Sequence, residues 1–179
     1  AMIEIARITP DDPRYEGEKR LREQVLLRAV GYDFASYVRD YPAEDRVEHF
    51  VAVEQQTGKT PSGWDAASDP CGEPPVGSGW SVVGCGLLLP DAPEAGIGKV
   101  SQVAVDPQRR GEGIGLRVMT AIEARAFGEL GHRELFCHAQ STAVEFYKKL
   151  GWGVASDEFT EAGIPHYKMA IRSGDRGEA

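Results

Sequence analysis

Long apolar runs are missing from this sequence. None approaches the ~20 residues needed to cross a bilayer, so no membrane partner is expected. The N-terminus lacks a signal-peptide core, and the expected compartment is the cytoplasm. Cysteine is scarce: Cys71, Cys85 and Cys137 are an odd set without C-x-x-C spacing, which argues against a disulfide framework or zinc site and leaves no metal expected. Basic residues are outnumbered, with 20 Lys and Arg against 28 Asp and Glu and a net charge of −8. A general nucleic-acid binder would need a basic face to displace counterions, so no nucleic-acid partner is expected. Two phosphate motifs are also absent. The dinucleotide frame G-x-G-x-x-G fails at Leu116 when started from Gly111 and at Val118 when started from Gly113, and the Walker frame that would end in Gly58-Lys59-Thr60 has Val53 in place of its first glycine. A nucleoside-triphosphate binder is thereby disfavoured.

What is there centres on 100–147. Val100-Ser101-Gln102-Val103-Ala104-Val105 alternates as a half-buried strand and stops at Asp106-Pro107. Arg110-Gly111-Glu112-Gly113-Ile114-Gly115 then opens a helix whose apolar face is Leu116, Met119, Ile122, Ala126, Phe127 and Leu130, closed by Gly131. The first N–H groups of a helix have no intrahelical partner and lie at the positive end of its dipole, so a glycine-rich start suits an anion. Arg109 and Arg110 add cations.

The R-x-x-G-x-G of Arg110, Gly113 and Gly115, placed after a strand, resembles the acyl-CoA site of the GNAT superfamily of N-acetyltransferases. A second motif follows in order: Gln140, Ala143, Phe146-Tyr147, Lys149 and Gly151-Trp152 are similar to that family's N-x-x-A-x-x-[LF]-Y-x-K-x-G-F, with Gln140 for the usual Asn and Trp152 for Phe. The closing 159–169 segment resembles the ElaA/YjcF-like branch. The resemblance implies an α/β (α+β) fold with a mixed, mostly antiparallel sheet of about six or seven strands flanked by helices, the fourth and fifth strands splayed apart.

Taken in order, Ile3–Ile8 reads as a strand, Tyr15–Val30 as a helix stopped by Gly31, and 32–48 as a short helix or loop. Tyr32, Phe34, Tyr37 and Tyr41 are candidate walls of an acceptor pocket. Further strands are expected at 49–54, 76–89 and 134–139, with a surface-loop insertion over 55–75. Thr142-Ala143-Val144-Glu145 matches a capping box for the helix before Gly151, and 152–161 with 164–171 reads as a hairpin turned at Ala162-Gly163. A single domain over 2–172 and a frayed tail over 173–179 are expected.

The resemblance implies acetyl-CoA as cosubstrate, with its pyrophosphate on the turn of Arg109, Arg110, Gly111, Glu112, Gly113, Ile114, Gly115 and Leu116. Main-chain groups of Gln102, Val103 and Val105 meet the pantetheine, and Gln140, Ala143, Phe146 and Tyr147 complete the site. An N–H at Val103 would polarise the thioester carbonyl. Tyr147 takes the family's acid position, and a phenol with a pKa of about 10 holds its proton at neutral pH. The fourth strand offers no carboxylate, so Glu161 and His166 are the candidate bases. His49 is a weaker candidate, and His132 and His138 read as structural. The implied activity is acyl transfer to a primary amine of a small-molecule acceptor, by direct attack. The alternative is a non-catalytic acyl-CoA sensor or interaction module, and a homodimer is among the assemblies left open.

Overall fold

The alternating segments build one sheet. In the computed structural model, which describes residues 2–55 and 79–176, the strands are β1 (Ile3–Ile8), β2 (Glu48–Gln55), β3 (Trp80–Leu89), β4 (Ile97–Val105), β5 (Glu134–Gln140), β6 (Gly153–Val154), β7 (Phe159–Glu161) and β8 (Ile164–Arg172). Their order is β1-β2-β3-β4-β5-β8-β6, with β7 also pairing β8. Every pairing is antiparallel except β4 with β5. Eight strands stand among the described residues because the segment expected to run unbroken from Trp152 to Glu161 is split. Its register on β8 shifts between Val154↔Met169 and Phe159↔His166, and Ser156 Oγ caps the gap by accepting from the Lys168 N–H at 2.9 Å. The loop expected over 55–75 lies, beyond Gln55, outside the described residues, as do 177–179.

Helices cover both faces. α1 (Tyr15–Arg22) runs on through a wider π turn at Glu23–Leu27 to Gly31, whose φ of +84° ends it. α2 (Phe34–Asp40) starts on a reciprocal cap, the Asp33 carboxylate accepting from the Ser36 N–H at 2.8 Å while the Asp33 N–H donates to Ser36 Oγ at 3.1 Å. α3 is Ile114–Glu123 and α4 is Val144–Lys149. The capping box expected at Thr142 does not form: Ser141–Ala143 makes a 3-10 turn straight out of β5, and α4 begins with no side-chain cap.

Alternation sorts the core. Phe50, Ala52, Leu88, Val100, Leu135, Cys137, Met169 and Ile171 face α3 and α4, while Val51, Val53, Cys85 and Ala104 face α1. The tail departs from expectation. Ser173–Arg176 forms a 3-10 turn, and Arg176 donates to Glu123 on α3 at 2.6 and 2.9 Å, beside a 2.8 Å bond from Trp152 Nε1 to the same carboxylate.

Gly84 lets the first turn of α3 lie close on the sheet. A Cβ there would stand 2.7 Å from Ile114 Cγ2 and 3.3 Å from Ala52 Cβ. Because a β-branched side chain has little freedom to move aside, Gly84→Ala is expected to cost about 1–3 kcal/mol of stability, measured by urea denaturation.

Candidate functional site

Strand β4 bends where it leaves its neighbours. It pairs in parallel with β5 only from Ile97↔Glu134 to Lys99↔Phe136, after which the two strands part. On its other side the register slips between Cys85↔Ala104 and Leu87↔Ser101, so Gln102 and Val103 together form a bulge. Gln102 sits at φ +50°, unusual for a residue with a side chain. Two contacts hold it there: Cys85 Sγ donates to the Gln102 carbonyl at 3.4 Å, and Arg22 Nε donates to Gln102 Oε1 at 3.4 Å. Val105, paired with Gly84, lies past the bulge at the open end of the splay.

The glycine-rich turn closes that end. Gly111 and Gly113 have φ of +83° and +77°, and nothing lies within 4 Å of where their Cβ atoms would be. Gly113 is the N-cap of α3, and no side chain caps the helix. Arg110 and Glu112 are exposed, Ile114 is buried, and Leu116 is half exposed. Arg109 departs from expectation. Its guanidinium donates to Glu54 at 2.6 Å and to Glu112 at 2.8 and 3.2 Å, which ties the turn to β2 and occupies the cation expected at an anion.

α4 packs against this turn. A Cβ on Gly115 would stand 3.1 Å from the Phe146 ring and 3.6 Å from Val105 Cγ2. Gln140 ends β5, and Ala143 is half-buried under the core. Tyr147 is buried between Phe146 and Trp152, its hydroxyl at the Cys137 thiol. Burial, with Cys137 adding to it, raises the Tyr147 pKa well above the ordinary phenol value, so the group holds its proton. Burial likewise pushes the Cys137 thiol up to about 12.

On the opposite face lies a charged network that sequence reasoning missed. Glu18 and Arg22 are 0% exposed and His49 is 1% exposed. His49 Nδ1 is 2.8 Å from Glu18, and Arg22 makes a bidentate pair with Glu44 at 2.6 and 2.9 Å, to which Tyr15 adds a 2.7 Å bond. Burial opposes ionisation of Glu44, yet the Arg22 bonds and the Tyr15 hydroxyl hold its pKa below the ordinary carboxylate range. Phe34 and Tyr37, expected as pocket walls, stack over the Arg22 guanidinium at 5.0 and 5.6 Å. Tyr32 and Tyr41 pack on Tyr37 further out. A signal was present: Glu18, Leu21, Arg22 and Val25 share one helical face, so two charges stand in an apolar stripe.

The two candidate bases meet on the closing hairpin, where the structure adds a third group. Glu161 Oε1 is 2.9 Å from His138 Nδ1, and Glu161 Oε2 is 3.7 Å from His166 Nε2. His166 is 7% exposed, with its Nδ1 donating to the Ile164 carbonyl at 2.7 Å. His132 is structural as expected, its Nε2 accepting from the Asp91 N–H at 3.2 Å.

Comparison with known proteins agrees with this geometry. The family described as "Acetyltransferase (GNAT) domain" matches residues 81–173. The "Uncharacterized N-acetyltransferase YjcF" of Bacillus subtilis (strain 168) is 38% identical over 100 residues, 55% of this chain and 63% of that protein. The matches cover less than two thirds of the length of these curated relatives. In fold, Escherichia coli ElaA superposes with a TM-score of 0.66 at 18% identity, over 94% of this chain and 99% of that one. An aminoglycoside 6′-N-acetyltransferase complexed with coenzyme A gives a TM-score of 0.66 at 15% identity, over 94% and 96%.

Removing Arg22 would leave the partly buried Glu44 without its partner and release Gln102. Arg22→Met is expected to cost about 3–5 kcal/mol. In the unsubstituted protein the lowered Glu44 pKa contributes stability that is fully present above the unfolded carboxylate value of about 4.3 and is lost as pH falls through the folded value. Urea denaturation across pH 2–7 should show that acid-side loss, and show less of it in Arg22→Met.

Proposed function

The chain belongs to the GNAT acetyltransferase family, and on that premise we propose that it moves an acetyl group from acetyl-CoA to a primary amine of a small-molecule acceptor, by direct attack. The observation that carries this reading is the parting of β4 from β5 beside an uncapped, glycine-lined helix start. The residues present fit a nucleotide-bearing thioester. Open space at Gly111 and Gly113 lets main-chain N–H groups approach a pyrophosphate, and a side chain at either position would fill that cradle. Arg110, exposed beside the turn, supplies the cation that Arg109 gives instead to Glu54 and Glu112. The splay leaves main chain of Gln102, Val103 and Val105 without β5 partners, which suits the amide-rich pantetheine arm.

When bound, acetyl-CoA supplies an activated acyl carbon. The protein contributes three things to the transfer. The Val103 N–H, in the bulge, is the donor for charge that develops on the carbonyl oxygen. Tyr147, kept protonated by burial, gives its proton to the departing sulfur. The amine's proton leaves through the polar cluster on the closing hairpin, which holds the candidate bases Glu161 and His166.

The first test is release of free CoA thiol from acetyl-CoA across amino sugars, aryl amines, polyamines and peptide N-termini, against a blank without acceptor. Acceptor-dependent release is expected. Silence across the panel with acetyl-CoA still bound would favour a sensor. Tyr147→Phe should lower kcat about 100-fold or more and leave CoA affinity near wild type by thermal shift. Unchanged turnover would remove Tyr147 from the acid role.

A further inference from the structure

Within the closing-hairpin cluster, the imidazole that can reach an acceptor is not the one the sequence points to. His166 has its Nδ1 committed to the Ile164 carbonyl at 2.7 Å, is 7% exposed, and lies under Phe159 with ring centroids 5.9 Å apart. His138 differs in exposure and in packing. Its side chain is 30% exposed, and Phe159 meets it only edge-on, at 5.1 Å. Its Nδ1 faces Glu161 Oε1 at 2.9 Å. Opposite an ionised carboxylate, which only accepts, a neutral ring carries its hydrogen on Nδ1 and its lone pair on Nε2.

The strand places His138 at the splay. Phe136 is the last β5 residue paired with β4, and His138 is two residues beyond it on the same face. Cys137, between them, points to the other face, into the core cluster that holds Tyr147. Consecutive residues of β5 therefore face opposite sides of the sheet, Cys137 toward Tyr147 of α4 and His138 away from it. We infer that His138 is the catalytic base of the proposed transfer and that Glu161 is its positioning residue, an inference that rests on the acetyl-transfer reading above. His138 Nε2 takes a proton from the incoming ammonium, and the freed nitrogen pair forms the C–N bond. The C–S bond breaks with its electrons on sulfur, which takes the Tyr147 proton. Tyr147 regains a proton from the amide nitrogen through water, and His138 releases its own to solvent. The charged and titratable groups facing His138 are Glu161 from β7, Lys168 and His166 from β8, and Lys99 from β4.

The test is kcat/KM against pH for the full chain and for His138→Gln, with the best amine of the panel. The expected result is a fall of about 100-fold or more at neutral pH and loss of the acid limb of the profile, with acetyl-CoA affinity unchanged by thermal shift. His138→Ala should regain part of its rate with added imidazole, and Glu161→Gln should lower kcat with little change in KM. An active wild type whose His138→Gln variant keeps the same pH profile overturns this inference alone. A wild type silent on every amine overturns the transfer reading and this inference with it.

Discussion

A residue with a side chain does not enter the left-handed region of backbone space without compensation, at a cost of order 1–3 kcal/mol. Gln102 does so in the middle of β4. The compensation comes from Arg22, which grips the Gln102 amide from α1, and from Cys85, which bonds its carbonyl from β3. Arg22 in turn is held by Glu44, beside the Glu18–His49 pair. A chain of buried charge thus runs from α1 through the α2–β2 connection to the bulge. What it preserves is a fault in the sheet: β4 and β5 share three residue pairs and then separate. The family likeness, the glycine turn and the placement of Tyr147 and His138 all take their meaning from that separation.

Much of the frame was legible because it rests on local signals. The period of two at Ile3–Ile8, the period of 3.6 after Gly115, and the glycines at 31 and 163 each act on their own neighbours. The order of the strands was not legible from such signals, nor was the split of the closing strand into β6 and β7, which depends on Ser156 meeting Lys168 twelve residues away. Arg109 shows the same limit. Two adjacent arginines beside a glycine turn look alike in sequence, and Arg109 is set apart by Glu112 together with Glu54, fifty-five residues away.

The buried ionic network was hidden for a related reason. On paper, Glu18 and Arg22 belong to a helix rich in charge, where solvation is the ordinary outcome. Their partners come from Glu44, His49 and Gln102, and a helix by itself does not reveal them. His138 shows the opposite case. Its place in a core strand suggested a structural ring, but β4 leaves β5 after Phe136, and on the side away from Cys137 and Ala139 the His138 side chain is 30% exposed.

The sheet that separates Tyr147 from His138 also gives the molecule two sides of approach. The glycine turn and α4 lie on one face, while α1, α2 and the His138–Glu161 pair lie on the other, and β4 and β5 part between them. If transfer takes place there, neither reactant has to vacate a shared channel for the other to enter. On the proposed transfer, such an arrangement suits a catalyst that assembles a ternary complex, with initial-rate lines that intersect, better than one that exchanges reactants by turns through a single doorway.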